Sequence, residues 1–430
     1  EELRKHILVL RGITAKPDEV IVTTGAQQGL HLVIELMIRP GMVVGLEDPC
    51  NPELRYLVKR RGAKCVFFGV DAQGVQVDPE QFARCDLVFI SPVCQRPMGV
   101  TLSSERRQEI LELSRRHDVV LVEDDYQWEI VRGEREPPAL RGTAGGESVI
   151  YTATLAQPIS ASIRLGVMVA PAQLIRAARG FRRITSRPPP LSIQRIFMHL
   201  LANGSYSSAM RRMENEFIAR INSLHDALNH YLPTKVSVQP ARLGAGAWIA
   251  GPQGLDTNHL AESVSAKGVL IESASPYFSS PSHQNVFRLG ITGIQSEQIR
   301  EGVAIVAKAI VALTSDQTAE TLGEPPRYLT ADAIRQACAG STLLCKTVYG
   351  EPCTIHLAEN GQMTGHAGYA NEDRDTGRWW IEDNYWCRQW QDWAYGEVAR
   401  FQVVTKENEI QWYLPGDRLI DRAVLVQHSD

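Results

Sequence analysis

Over residues 1–230, short and continuously apolar runs alternate with stretches of helical periodicity. The runs are "VVGLEDP", "KCVFFGV", "DLVFISP", "VVLVEDD", "SVIYTAT" and "IRLGVMVAP". A strand with one wet face alternates apolar and polar residues. Runs without alternation therefore belong to strands buried on both faces, as in a mostly parallel sheet covered by helices. The pattern predicts a helix over Ser103–His117, opened by "SSERR" with a serine placed to cap it. Further on, the prolines of "RPPPLSIQRIFMHLLANG" end one helix and precede a long one. Residues 231–313 mix strand and helix patterns again and read as a smaller α/β lobe. Residues 314–328, "TSDQTAETLGEPPRY", carry few large apolar side chains and read as a linker. From Leu329 the period changes. The segments "TIHLAEN", "GRWWIED" and "EIQWYL", with Asn-Gly and Glu-Asn turns, predict an antiparallel sheet or barrel over 329–430. The expected architecture is thus α/β in a large lobe (1–230) and a small lobe (231–313), followed by a mainly antiparallel β module.

Composition sharpens this picture at two points. Six of the eight tryptophans fall in the last module, at Trp379, Trp380, Trp386, Trp390, Trp393 and Trp412. They are read as its core, with a ligand cavity between them as the second reading. The eight cysteines form no CxxC pair and read as reduced thiols, which implies the cytoplasm. Cys345, Cys353, Cys387, His356 and His366 match no standard zinc spacing, so no metal is expected. A net charge of −4 offers no basic field for nucleic acid. No apolar run approaches the roughly 20 residues of a membrane helix, and "EELRKHILVL" is a charged amphipathic segment without the build of a signal peptide.

Four separated stretches in the first 313 residues carry candidate chemistry. "TTGAQQG" (23–29) follows a strand and opens a helix, so its backbone N–H groups can cradle a phosphate. "VEDDYQWE" (122–129) ends a buried strand in carboxylates, where open α/β sheets bind ligands; taken alone it also reads as a solvated acidic loop. "TATLAQPISASIRLG" places Thr154 and Arg164 around Gln157. "NVFRLGIT" sets Arg288 inside an apolar strand, where a cation needs an ion-pair partner or an anionic ligand.

In this order, together with "LEDPCNPELRYLVKRRGA", "ISPVCQRPMGVTLSSERRQEILELSRRHDVVLVEDDYQWEI" and "SRPPPLSIQ", the stretches resemble the fold-type I pyridoxal phosphate enzymes. More narrowly, they resemble the aminotransferase-like domain of MocR regulators in the GntR family, over about residues 1–313. The resemblance implies that the backbone of Gly25, Ala26 and Gln27, with Thr154 and Arg164, holds the cofactor phosphate. It implies further that Asp124 pairs with the pyridinium nitrogen, Tyr126 with the phenolic oxygen, and Arg288 with the carboxylate of an amino-acid ligand. The departures from the family pattern cluster at the same pocket. Gln157 stands at the Schiff-base lysine, and Ala156 at the serine before it. Asn51 stands at the ring-stacking tyrosine, and "VCQRPMG" introduces Cys94, Arg96 and Met98. An amide cannot form the covalent link.

The reading that follows is a non-catalytic, homodimeric effector-binding region of a MocR-like transcriptional regulator. A small anionic or amino-acid-like effector is expected in the degenerate cleft, with non-covalent pyridoxal phosphate one form it can take. DNA would be reached only through a winged helix-turn-helix domain that the resemblance places before Glu1, and no membrane contact is expected. The alternatives are a stand-alone binding pseudoenzyme and an unusual active pyridoxal phosphate-dependent aminotransferase. The last would need a replacement amine, such as that of Lys235 or Lys267, near Gln157.

Overall fold

In the computed structural model, the apolar runs become strands of one mixed eight-stranded sheet. The structure describes residues 1–129, 137–155, 159–233, 236–239, 246–280, 285–320, 327–346, 352–368, 373–406, 408–414 and 418–427. The strands are β1 (Val20–Thr23), β2 (Val43–Asp48), β3 (Lys64–Asp71), β4 (Gly74–Val75), β5 (Leu87–Ile90), β6 (Val120–Asp125), β7 (Ile150–Thr154) and β8 (Gly166–Val169). Their order is β1-β8-β7-β6-β5-β2-β3-β4. The middle, β3-β2-β5-β6-β7, is parallel, and β8 runs antiparallel to both β7 and β1. β5 and β8 are buried along their whole length, as their lack of alternation requires.

Helices cover the sheet. α1 (Ala26–Met37) buries Leu30, Leu32, Val33 and Ile34. A Cβ at Gly29 would come within 2.9 Å of Thr152 Cγ2, so glycine lets this helix lie directly on β7. α2 (Pro52–Arg60) starts on proline after Asn51. α3 (Ser104–His117) is capped by Ser103, whose hydroxyl accepts from Arg106 N at 3.3 Å. The proline run separates α4 (Ala172–Thr185) from α5 (Leu191–Ala202), and the long α6 (Ser205–Tyr231) follows. A second sheet is made of β9 (Ser237–Gln239), β10 (Gly246–Ala250), β11 (Glu272–Ser273) and β12 (Val286–Gly290), in the order β11-β12-β10-β9. α7 runs over Ser296–Glu320. Residues 314–320, read from composition as linker, continue this helix. "TSDQTAE" contains no glycine or proline, and the breakers come only with "GEPP".

The chain divides into two compact units, residues 1–257 with 267–311, and residues 258–266 with 312–430. Within the second, β13 (Ser341–Lys346), β14 (Pro352–Leu357), β15 (Gln362–Ala367), β16 (Asp373–Glu382), β17 (Tyr385–Trp390), β18 (Val398–Lys406), β19 (Glu409–Leu414) and β20 (Arg418–Gln427) form a closed antiparallel barrel. β13 pairs with β20 and removes the free edges. α8 (Ala331–Cys338) adds Ile334 and Cys338, both 0% exposed, to the barrel core. Five of the module's tryptophans pack with this core. Trp380 does not: it faces outward under Arg378, whose guanidinium lies 5.1 Å from its ring. Trp393 folds over β15 at Gly365, where an added Cβ would stand 2.2 Å from the indole ring. No group of three or more potential metal ligands occurs among the described residues, all eight cysteines are free, and no described helix is long and apolar enough to cross a membrane.

The most deeply buried ion pair of the first unit ties the chain's start to the sheet. Arg11 Nε donates to Asp125 Oδ2 at 2.8 Å, and both side chains are almost fully buried. Tyr151 Oη donates to the same oxygen at 2.8 Å. Replacing Arg11 by alanine leaves the carboxylate uncompensated, and a loss of about 3–5 kcal/mol is expected in urea unfolding. A loss below about 1 kcal/mol would show that Tyr151 alone suffices to hold Asp125.

Candidate ligand cleft

The end of β6 gathers Glu123, Asp124 and Asp125, and all three are buried. The alternative of a solvated acidic loop is thereby excluded. Glu123 accepts the backbone N–H groups of Leu140 and Arg141 at 2.9 and 3.1 Å. Asp125 is held by Arg11 and Tyr151. Downstream, the carboxylate of Glu129 accepts from the Tyr206 hydroxyl. Asp124 differs: it makes no hydrogen bond among the described residues, and its Oδ1 is fully enclosed. Burial pushes its pKa from 3.8 to about 7; Arg96 works against the rise and Asp125 adds to it.

Arg96 faces this carboxylate. Its guanidinium lies 5.9 Å from the centroid of the Tyr126 ring, and Tyr277 is its other close electrostatic neighbour. The loop that carries Arg96 is held by Gln95, whose Nε2 donates to Pro49 O at 2.7 Å, Arg96 O at 2.9 Å and Glu47 Oε2 at 3.3 Å. Glu47 also accepts from Ser91 N at 3.2 Å. Burial lifts its pKa from 4.5 to about 8, against those hydrogen bonds. Cys94 donates to Gln127 Oε1 at 3.2 Å, and burial raises its thiol to about 12, which leaves it no nucleophile at neutral pH. Met98 turns away into the apolar cluster around Trp248.

Arg288 reaches the same cluster, since its charge acts on both Cys94 and Tyr126. It is not a lone cation. Nη1 lies 3.1 Å from Glu272 Oε2 on the neighbouring strand, so the ion-pair reading of this residue holds. Asn51 is committed elsewhere: its Oδ1 accepts from Glu53 N at 3.0 Å and caps α2.

A second group forms where α1 begins. Gly25, at φ 113°, is the N-cap, and no side chain caps the helix. The first-turn N–H groups, including those of Ala26 and Gln27, are left open. Arg164, at the left-handed φ of 50°, brings its guanidinium alongside; a Cβ on Gly25 would stand 3.6 Å from Nη2. Arg164 has no hydrogen-bond or ion-pair partner among the described residues. Gly166 permits this closeness, because a Cβ there would lie 2.6 Å from Gly25 Cα. Thr154 ends β7, half-buried, and its carbonyl accepts from Trp128 Nε1 at 3.0 Å. Gln157 and Ala156 lie outside the described residues.

The structure therefore gathers Asp124, Tyr126, Arg96 and Arg288 in one cluster and Gly25, Ala26, Gln27 and Arg164 in another. Glu47 and Gln95 were missed from sequence. The available signal was a glutamate inside an otherwise apolar strand, which requires a buried partner.

A mixed α/β sheet with an open helix N-terminus, a buried aspartate and a second smaller sheet agrees with the aminotransferase-like class. Residues 1–306 match the model of the aminotransferase class I and II family, and the chain belongs to that family. It is 32% identical over 311 residues to the HTH-type transcriptional regulator TauR of Rhodobacter capsulatus, covering 72% of this chain and 64% of that protein. It is 28% identical over 317 residues to the probable rhizopine catabolism regulatory protein MocR of Rhizobium meliloti, covering 73% and 64%. The chain thus spans less than two thirds of the length of either regulator. Among solved structures it is similar to LysN, the alpha-aminoadipate aminotransferase of Thermus thermophilus, with a TM-score of 0.67 and 25% identity over 73% of this chain and 82% of that one.

The raised pKa values of Glu47 and Asp124 fix a sign for pH dependence. The folded state binds these protons more tightly than the unfolded chain, so their contribution is complete below about pH 4 and is lost as pH rises through 7–8. Glu47→Gln keeps an acceptor but cannot ionise. Its Tm is expected to match wild type near pH 4 and to exceed it progressively toward pH 8.5. Parallel Tm–pH curves would show that Glu47 does not titrate in this window.

Proposed function

We propose that this chain is the effector-binding and dimerisation region of a MocR/GntR-like transcriptional regulator, and that its cleft holds a small anionic ligand without a covalent bond. The observation that carries this reading is the Arg164 guanidinium, without a partner among the described residues, beside the uncapped helix start at Gly25. A cation and an open row of N–H groups form a site for a phosphate or carboxylate. The regulator assignment is supported by the relatives named as regulators, TauR and MocR. DNA contact would then belong to a winged helix-turn-helix domain outside this chain.

Pyridoxal phosphate fits the described residues at both ends. The Gly25 helix start and Arg164 suit its phosphate, and the unpartnered carboxylate of Asp124 suits its ring nitrogen. When bound, the group supplies an electron sink. The residues around it support holding rather than chemistry. Gln157 stands at the position of the family's lysine and offers no amine, and Asn51 spends its side chain on capping α2. Arg96 and Arg288 bring positive charge beside Tyr126, with Arg288 already paired to Glu272. Asp124, titrating near neutrality, can donate or accept a hydrogen bond at the ring position.

Incubation with pyridoxal phosphate should give saturable binding by absorbance, with no lysine adduct by mass spectrometry after borohydride reduction. Arg164→Gln should weaken binding by about tenfold to a hundredfold, the range for one charge-assisted hydrogen bond. A stoichiometric reduced adduct on one lysine would instead establish an active pyridoxal phosphate enzyme.

The homodimer is supported by apolar side chains that no described residue covers. Ile184, Leu191, Ile196 and Met198, on α4 and α5, are 77%, 61%, 54% and 41% exposed. Surface of this kind marks an interface. Sedimentation at micromolar concentration should give twice the 47.8 kDa chain mass, and Leu191→Asp with Ile196→Asp should give monomers. A monomeric wild-type protein would remove the dimer from this reading.

A further inference from the structure

The barrel contains a second set of polar groups that the cleft does not use. Alternate residues of β17 face its interior, so Arg388 points inward between Trp386 and Trp390, which are 2% and 3% exposed. The Arg388 guanidinium makes no hydrogen bond or ion pair among the described residues, and its Nε is fully enclosed. It lies 5.6 Å from the Phe401 ring centroid, and Asp421 neighbours it without reaching ion-pair distance. The indole Nε1 atoms of Trp386, Trp393 and Trp412 are likewise enclosed without an acceptor. The barrel can satisfy an indole when its geometry calls for it: Trp379 Nε1 donates to Ala358 O at 3.0 Å.

The buried, unpartnered side-chain nitrogens of the barrel are thus all donors, and no buried side-chain acceptor of the barrel is left unpartnered among the described residues. Each such donor costs about 1–3 kcal/mol. A set with one sign of hydrogen-bonding demand points to an acceptor brought from outside. The surroundings describe the rest of that molecule. The Trp386 and Trp412 rings lie 5.4 Å apart, and Trp386 lies 6.2 Å from Phe401, forming flat apolar walls. One end of the barrel core is filled by Ile334 and Cys338 of α8. Arg388, Cys345 and Asp421, neighbours on three strands, keep solvent-accessible surface, so solvent reaches this part of the barrel. A single cation with Asp421 nearby suits one negative charge and not two.

We propose that the barrel interior is a ligand site for a small monocarboxylate with a flat apolar body. The carboxylate accepts from Arg388 and from the indole N–H groups, and the body lies against Trp386, Trp412 and Phe401. This site is independent of the cleft ligand argued above.

The test uses the full chain and 2-naphthoate, followed by tryptophan fluorescence, calorimetry and the indole N–H signals in NMR. Saturable binding is expected, at least about tenfold tighter than that of the uncharged 2-naphthamide, with shifts of the Trp386 and Trp412 indole signals. Arg388→Gln should weaken 2-naphthoate by about tenfold or more, and Arg164→Gln should leave it unchanged. Should Arg388→Gln fail to fold, Trp412→Phe decides, because it keeps the ring and deletes one donor; a loss of several-fold is expected. Absence of saturable binding to the wild-type chain would overturn the proposal. So would undiminished binding by a folded Arg388→Gln variant, or a loss confined to Arg164→Gln, which would assign the molecule to the cleft.

Discussion

A carboxylate cannot be buried with its charge unless something meets that charge, and β6 ends in three consecutive carboxylates. The first unit is arranged around this constraint. Glu123 is met by two backbone N–H groups of the turn at Leu140, which fixes the chain's return toward β7. Asp125 is met by Arg11 and Tyr151, which anchors the first residues of the chain. Side chains alternate along a strand, so Asp124 faces the opposite side from its two neighbours. There, among the described residues, it makes no hydrogen bond and meets the charge of Arg96, and burial raises its pKa to about 7.

Much of this was legible in the sequence. Continuous apolar runs identified the sheet strands because burial on both faces leaves no polar alternation. The ordered motifs located Gly25, Asp124 and Arg164 because a helix start, a strand end and a basic turn sit at fixed places in such a layered fold. What escaped had one cause in common, namely dependence on contacts far apart in the chain. Glu47 and Gln95 are 48 residues apart, and each alone looks like an incidental polar residue. Arg11 finds Asp125 across 114 positions. Arg288 was legible as a cation in a strand, but its partner Glu272 was not, since the register of a two-residue strand leaves almost no periodic trace. Trp380 looked like core because of its size; strand alternation puts it on the outer face, where the Arg378 side chain covers it.

The two units handle buried polarity differently. In the first, buried side-chain atoms without a hydrogen bond among the described residues include a carboxylate oxygen of Asp124 and guanidinium nitrogens of Arg61 and Arg141. In the barrel, among the described residues, they are nitrogens alone. A closed barrel satisfies its backbone completely through its ladders, so any side-chain donor turned inward must find an inward acceptor or remain without one. Four buried nitrogens without acceptors among the described residues are the observation on which the proposed barrel site rests. An apolar core of equal volume would avoid the desolvation penalty altogether.

The charges around Tyr126 also limit what the cleft can hold. Arg96 and Arg288 are the cations that act on it. Arg288 is already matched by Glu272, and Arg96 lowers the pKa of Asp124 without cancelling the effect of burial. On the function proposed above, the electrostatic balance favours a ligand that carries two features together: an anionic group for Arg164 and the Gly25 helix start, and a protonated nitrogen or hydrogen-bond donor for Asp124. A simple inorganic anion satisfies only the first. A ring or amino-acid skeleton bearing both satisfies each cluster, and it would draw Asp124 toward its ionised form on binding, with release of a proton near neutral pH.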